Sequence, residues 1–156
     1  MAPNRFEFWR KWLLYCNIMI VGLGVLIAFG GNSILFEMHN SGSRDTFFQG
    51  RDFPADVLAF KNWLFGIIGG TIVGFHVLMV FLLIEPFKRR ERWSYVALWA
   101  GLLSWFVIDS AVSLFYGAVY NVTLINLVAL VSIGLPLLMT APAFKKSQES
   151  PGRSSS

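Results

Sequence analysis

Four apolar stretches of about twenty residues, separated by short charged segments, constrain this chain more than any other feature. They run from about Trp12 to Gly30, Phe60 to Ile84, Trp93 to Tyr116 and Val122 to Thr140. About 20 apolar residues are needed to cross a hydrocarbon core of about 30 Å. Lipid offers the backbone no hydrogen-bond partners, so only helices or closed barrels span it. Barrel strands alternate and are half as long, so continuous runs mean helices. The expected fold is therefore all-α, a bundle of four transmembrane helices. Composition agrees: 55% of the 156 residues are hydrophobic and only 14% charged, against about 25% charged in soluble domains.

The basic residues give an orientation. Ten of the thirteen fall on one side: Arg5, Arg10, Lys11, then Lys88, Arg89, Arg90, Arg92, then Lys145, Lys146, Arg153. Arg44, Arg51 and the border residue Lys61 fall on the other. The positive-inside bias then places both termini in the cytoplasm. Trp9, Trp12, Trp63, Trp93 and Tyr120 are expected at headgroup level. The rival reading of the first stretch is a signal peptide with Ala28 and Gly30 near a cleavage site. Its run of about 18 residues exceeds the usual 7–15, which favours a retained span. The net charge of +4 follows topology along the chain, so no nucleic-acid partner is implied. The single cysteine, Cys16, excludes an internal disulfide and any Cys-x-x-Cys site. No cofactor or metal is implied. His39 with Glu37 is the nearest approach to a metal pair.

Residues 31–58 form the sizeable loop, with turn signals at Asn32, Asn40, Ser41, Gly42 and Ser43. A short surface helix is expected within it, at Ser33–Met38 or Asp52–Leu58. Residues 145–156 read as a polar, disordered tail. Asn121-Val122-Thr123 matches a glycosylation pattern but lies against the bilayer and is read as chance.

In the second span Gly66, Gly70 and Gly74 recur every four residues. Such a glycine zipper allows close backbone approach. It reads as a contact within the chain or as a homodimer face, the first preferred. His76 and Gly69 point the other way, which makes this span the expected centre of the bundle. In the third span Gly101, Trp105, Asp109, Ser113 and Gly117 share one stripe. An intramembrane carboxyl should face protein and mark a polar tie, a proton or ion pathway, or a ligand contact. Counting about 1.5 Å per residue from the basic end puts Asp109 at roughly 24 Å, Asn126 at roughly 21 Å and Thr71 at roughly 20 Å. With Ser113 they form an expected polar layer, in which Asp109 donates to the Asn126 amide oxygen and accepts from Thr71 or Ser113. His76 and Ser132 at roughly 12 Å, with Asn17 at roughly 8 Å, form a second layer. Lys88, Arg89, Arg90 and Arg92 are expected on anionic headgroups, at about 1 kcal/mol each.

"PFKRRERW", "WFVIDSAVSLFYG" and the final "LPLLMT" together resemble a set of small four-helix bacterial membrane proteins of unassigned function, over about residues 60–140. The resemblance implies only a shared Trp105–Asp109–Ser113 face, and brings no activity; the expected location is the bacterial inner membrane. The expected function is a non-enzymatic scaffold or accessory component, as a homodimer or within a larger complex. The alternatives are a proton-coupled carrier using Asp109, Asn126 and His76, and an enzyme acting on a lipid-like substrate.

Overall fold

The computed structural model describes residues 3–145; except for Lys145, the expected tail lies outside them. The described residues are helical and contain no strand. Helix α1 spans Pro3–Gly30. A 3-10 turn, Ile34–Phe36, leads into α2, Glu37–Phe48. Helix α3 spans Ala55–Ile84 and α4 spans Arg92–Phe115. Helix α5 runs over Val119–Lys145, with a π-helical turn at Val122–Asn126. The four long helices are each long and apolar enough to cross a membrane. The chain is a multi-pass membrane protein with a four-helix bundle.

The helices outrun the apolar stretches. Pro3 opens α1, where a missing N–H costs nothing, and no further proline interrupts it before Gly30. Similarly α3 starts directly after Pro54. At 30 residues α3 is about 45 Å long, well beyond a hydrocarbon core of about 30 Å.

Helix α1, not α3, has the most extensive contacts: it packs closely on α3 and also on α5, while α4 packs on α5 and lightly on α3. Gly69 explains the tight α1–α3 contact: an added Cβ would lie 2.4 Å from Gly24 O and 2.6 Å from Ala28 N. Gly66, Gly70 and Gly74 do not make this contact. A Cβ at Gly70 or Gly74 would meet nothing within 4 Å, and at Gly66 only Ala28 O at 3.9 Å. Helices α3 and α4 touch sparingly, where Phe75 and Met79 close on Gly101.

Both ends of the described chain meet the α3–α4 turn. Phe6, Phe87 and Phe144 pack together there, all at most 4% exposed, with Tyr95 stacked on Phe144. Arg90 takes a left-handed conformation, φ 61°, uncommon without glycine. Its guanidinium then lies 4.9 Å above the Phe6 ring, a cation–π contact. Arg10, nearly buried, pairs with Glu7 at 2.8 Å and donates to Leu83 O at 3.3 Å.

At the opposite end α2 is the surface helix, and it covers Asn40–Ser43, the expected turn. Packing overrides the local turn tendency. Gly42 lies where a Cβ would sit 2.6 Å from the Tyr120 ring. Ser43 Oγ and Tyr120 OH are 2.7 Å apart, and His39 packs between Tyr120 and Phe65. Tyr120 is thus half-buried beneath α2. Residues 51–54 take no helix.

Gly69→Ala is expected to lower the unfolding free energy in mild detergent by about 1–3 kcal/mol through overpacking. Gly70→Ala, with open space around it, should be neutral or slightly stabilising. Thermal unfolding of the two variants beside wild type checks both.

Candidate functional site

The carboxyl of Asp109 sits where α4 meets the start of α5. Three side chains converge on one of its oxygens. Oδ1 accepts from Asn121 Nδ2 at 2.8 Å, Asn126 Nδ2 at 2.8 Å and Ser113 Oγ at 3.2 Å. The amides are shared: Asn121 also donates to Ser113 Oγ at 2.9 Å, and Asn126 to Ser110 Oγ at 3.0 Å. Asn126 is fully buried, and its Oδ1 has no partner. Asp109 Oδ2 takes no hydrogen bond from the described residues and is not enclosed.

The π-helical turn builds this site. Residues five apart on an α-helix stand about 140° apart around its axis. Here Leu127 N–H reaches back to Val122 O, a five-residue step. A turn wound this wide brings residues five apart nearly into line, and Asn121 and Asn126 both face Asp109. An ionised or neutral carboxyl oxygen can accept several bonds at once, so one atom holds both amides.

The expected layer is therefore altered in two ways. Asn126 donates to Asp109 instead of accepting from it. Thr71 is absent from the cluster. It is exposed on α3 and donates to its own helix at Ile67 O, 2.9 Å. A threonine hydroxyl satisfies itself on the i−4 carbonyl without any partner helix. Asn121 takes the place expected for Thr71. Its only sequence signal was an asparagine one helical turn or so from a span's polar residue, and its position in an N-x-T pattern hid it.

Asn17 and His76 form a second polar tie, between α1 and α3. His76 Nδ1 is 2.7 Å from Asn17 Oδ1, and Asn17 Nδ2 donates to Leu13 O at 2.8 Å. Since Asn17 Oδ1 only accepts, Nδ1 carries the hydrogen. Ser132, expected in this layer, makes no hydrogen bond to the pair; its backbone makes a separate tie. Pro136 has no N–H, so Ser132 O lacks its helical donor and accepts from Trp12 Nε1 at 3.2 Å. Trp12 thus ties α1 to α5. Among the described residues no hydrogen bond joins the Asn17–His76 pair to the Asp109 cluster.

The four basic residues of the α3–α4 turn separate. Lys88 and Arg92 are exposed, Arg89 pairs with Glu85, and Arg90 lies on Phe6. At the other end Glu37 pairs with Arg44, which raises the Arg44 pKa mainly through that hydrogen bond. His39 turns inward instead. Burial, and secondarily Lys61, lowers its pKa, and its Nδ1 has no partner. No group of three His, Cys, Asp or Glu gathers among the described residues. Two open grooves, of about 650 Å³ beside Trp93 and about 360 Å³ beside Asn32, both lie away from Asp109.

The groups hydrogen-bonded to Asp109 among the described residues are amides and hydroxyls, none of which exchanges a proton near neutral pH. That set can hold helices together or hold a proton or cation at the carboxyl. It offers no second acid or base for paired proton transfer.

The chain matches no protein-family model, no curated protein and no solved structure. What the cluster does rests on its geometry, and that geometry ranks two residues in a testable way. Asn121→Ala removes two bonds, each worth about 0.6 kcal/mol and at most about 1.7 in membrane proteins. A loss of about 1–2 kcal/mol in unfolding free energy is expected. Thr71→Val should change it by less than about 0.5 kcal/mol.

Proposed function

We propose that this chain is a non-enzymatic membrane component, a scaffold or accessory subunit, with the Asp109 cluster as its internal tie. The carrying observation is that one carboxyl oxygen takes hydrogen bonds from both Asn121 and Asn126 across the α4–α5 contact. A carboxyl committed to neighbouring helices is a fastening. Two further observations support the reading. No second titratable side chain is hydrogen-bonded to the cluster among the described residues. Neither groove reaches it.

The protein sits in a bacterial inner membrane with both termini in the cytoplasm. The bias of ten basic residues to the end that carries the termini and the α3–α4 turn supports this. Gly70 and Gly74, open on α3, leave a surface that another helix can approach closely. This suits a homodimer or a larger complex. Lys88 and Arg92 remain free for anionic headgroups.

A proton-coupled carrier is the second reading, and the unbonded Asp109 Oδ2 favours it. Flux separates the two. Wild type and Asp109→Asn are reconstituted into vesicles, and proton movement under an imposed pH gradient is followed with an enclosed dye. The scaffold reading expects equal, background rates for both. A wild-type rate well above that of Asp109→Asn would replace it with the carrier.

A further inference from the structure

The groove beside Trp93 has a chemistry of its own. Leu78, Phe81, Leu82, Glu85 and Arg89 line it from α3 and the turn, and Glu91 and Trp93 from the start of α4. From Leu78 to Glu85, about 10 Å along the helix, the lining changes from apolar to charged. Leu78 and Phe81 are each 65% exposed and Trp93 56%, although Phe75 and Met79 hold α3 and α4 together one turn or so away. Leu78, Phe81 and Trp93 thus face outward, and the groove opens sideways at the end of the bundle where the basic residues gather.

The charged end is unlike the turn around it. Lys88, Arg90 and Arg92 make the turn basic, but the groove holds two carboxylates against one guanidinium. Each carboxylate is half used. Glu85 Oε2 pairs with Arg89 Nη2, and Glu91 Oε2 accepts from Trp93 Nε1 at 2.6 Å. Both Oε1 atoms, with Nε and Nη1 of Arg89, make no hydrogen bond to the described residues. The groove thus presents anionic acceptors and a cationic donor side by side, above an apolar lining.

We infer that this groove binds one phospholipid with a phosphoethanolamine headgroup. The primary ammonium carries three N–H donors, like a lysine, and meets the free oxygens of Glu85 and Glu91. The phosphate meets the free guanidinium N–H groups of Arg89, a charge-assisted pairing. An acyl chain lies along Leu78, Phe81 and Trp93. An anionic headgroup would bring a net negative charge against two carboxylates. A phosphocholine headgroup has the positive charge but no N–H to donate. The site does not depend on whether the chain is a scaffold or a carrier.

Native mass spectrometry of the delipidated full chain in mild detergent tests this. Phosphatidylethanolamine, phosphatidylcholine and phosphatidylglycerol of one acyl composition are added in equal amounts. Phosphatidylethanolamine should be retained at one per chain, about fivefold or more over either competitor. The pair of substitutions Glu85→Gln and Glu91→Gln, both at a solvent-facing turn, should remove the preference without changing the unfolding midpoint. Asp56→Asn, exposed in the first turn of α3 and outside the lining, should leave it intact. Equal retention of phosphatidylethanolamine and phosphatidylcholine would overturn the site, as would a preference for phosphatidylglycerol. Loss of preference in Asp56→Asn to the same degree would overturn it too.

Discussion

One oxygen atom, Asp109 Oδ1, holds both amides of the wound turn at the start of α5. The bundle needs such fastenings because lipid removes the usual reason for helices to associate. Hydrocarbon tails are as apolar as leucine, so burying one leucine against another gains little. What remains is close backbone approach and hydrogen bonding. The order of helices, α3 beside α1, α1 beside α5 and α5 beside α4, has at least one polar tie at each contact. His76 meets Asn17, Trp12 meets Ser132 O, and Asp109 meets Asn121 and Asn126. Where a polar tie is missing, between α3 and α4, contact is slight and a groove opens.

The distribution of burial follows from the same constraint. Asn17, Ser94, Asn126 and Thr140 are at most 2% exposed, while Phe29 is 92% and Phe115 82% exposed. This inverts the arrangement of a soluble protein, where large apolar side chains fill the inside. The well-packed apolar core lies toward the termini, around Leu83, Phe87 and Leu137, all 0% exposed. Toward α2 it gives way to Asn126, Ser110 and Ser113. There hydrogen bonds and the cap of α2 over Tyr120 do the holding.

Depth was legible in the sequence, and azimuth was not. Counting residues from the charged ends brought Asp109, Ser113 and Asn126 to one level, and His76 and Asn17 near another, because rise per residue is nearly constant. The same count placed Thr71 beside Asp109, but its direction around α3 depends on which neighbour that helix takes. The intrachain reading of the glycine stripe fails for this reason as well. Gly66, Gly70 and Gly74 are regular, yet the closest approach occurs at Gly69, paired with Gly24 and Ala28. Asn121 was beyond reach because the π-helical turn shifts the register, and nothing in "YNVTLIN" announces it. Helix α2 was obscured by turn-forming residues whose helical state depends on contact with Tyr120, some 80 residues away.

A double-mutant cycle on Asp109 and Asn126 tests the central tie most directly. Unfolding free energies would be measured for wild type, Asp109→Ala, Asn126→Ala and the double variant, in one detergent at neutral pH. If the carboxyl and the amide act as a unit, the double variant loses less than the sum of the single ones. The expected coupling is about 0.6–1.7 kcal/mol. Losses that simply add would mean that Asp109 does not hold α5 through Asn126, and the bundle would owe its order to packing alone.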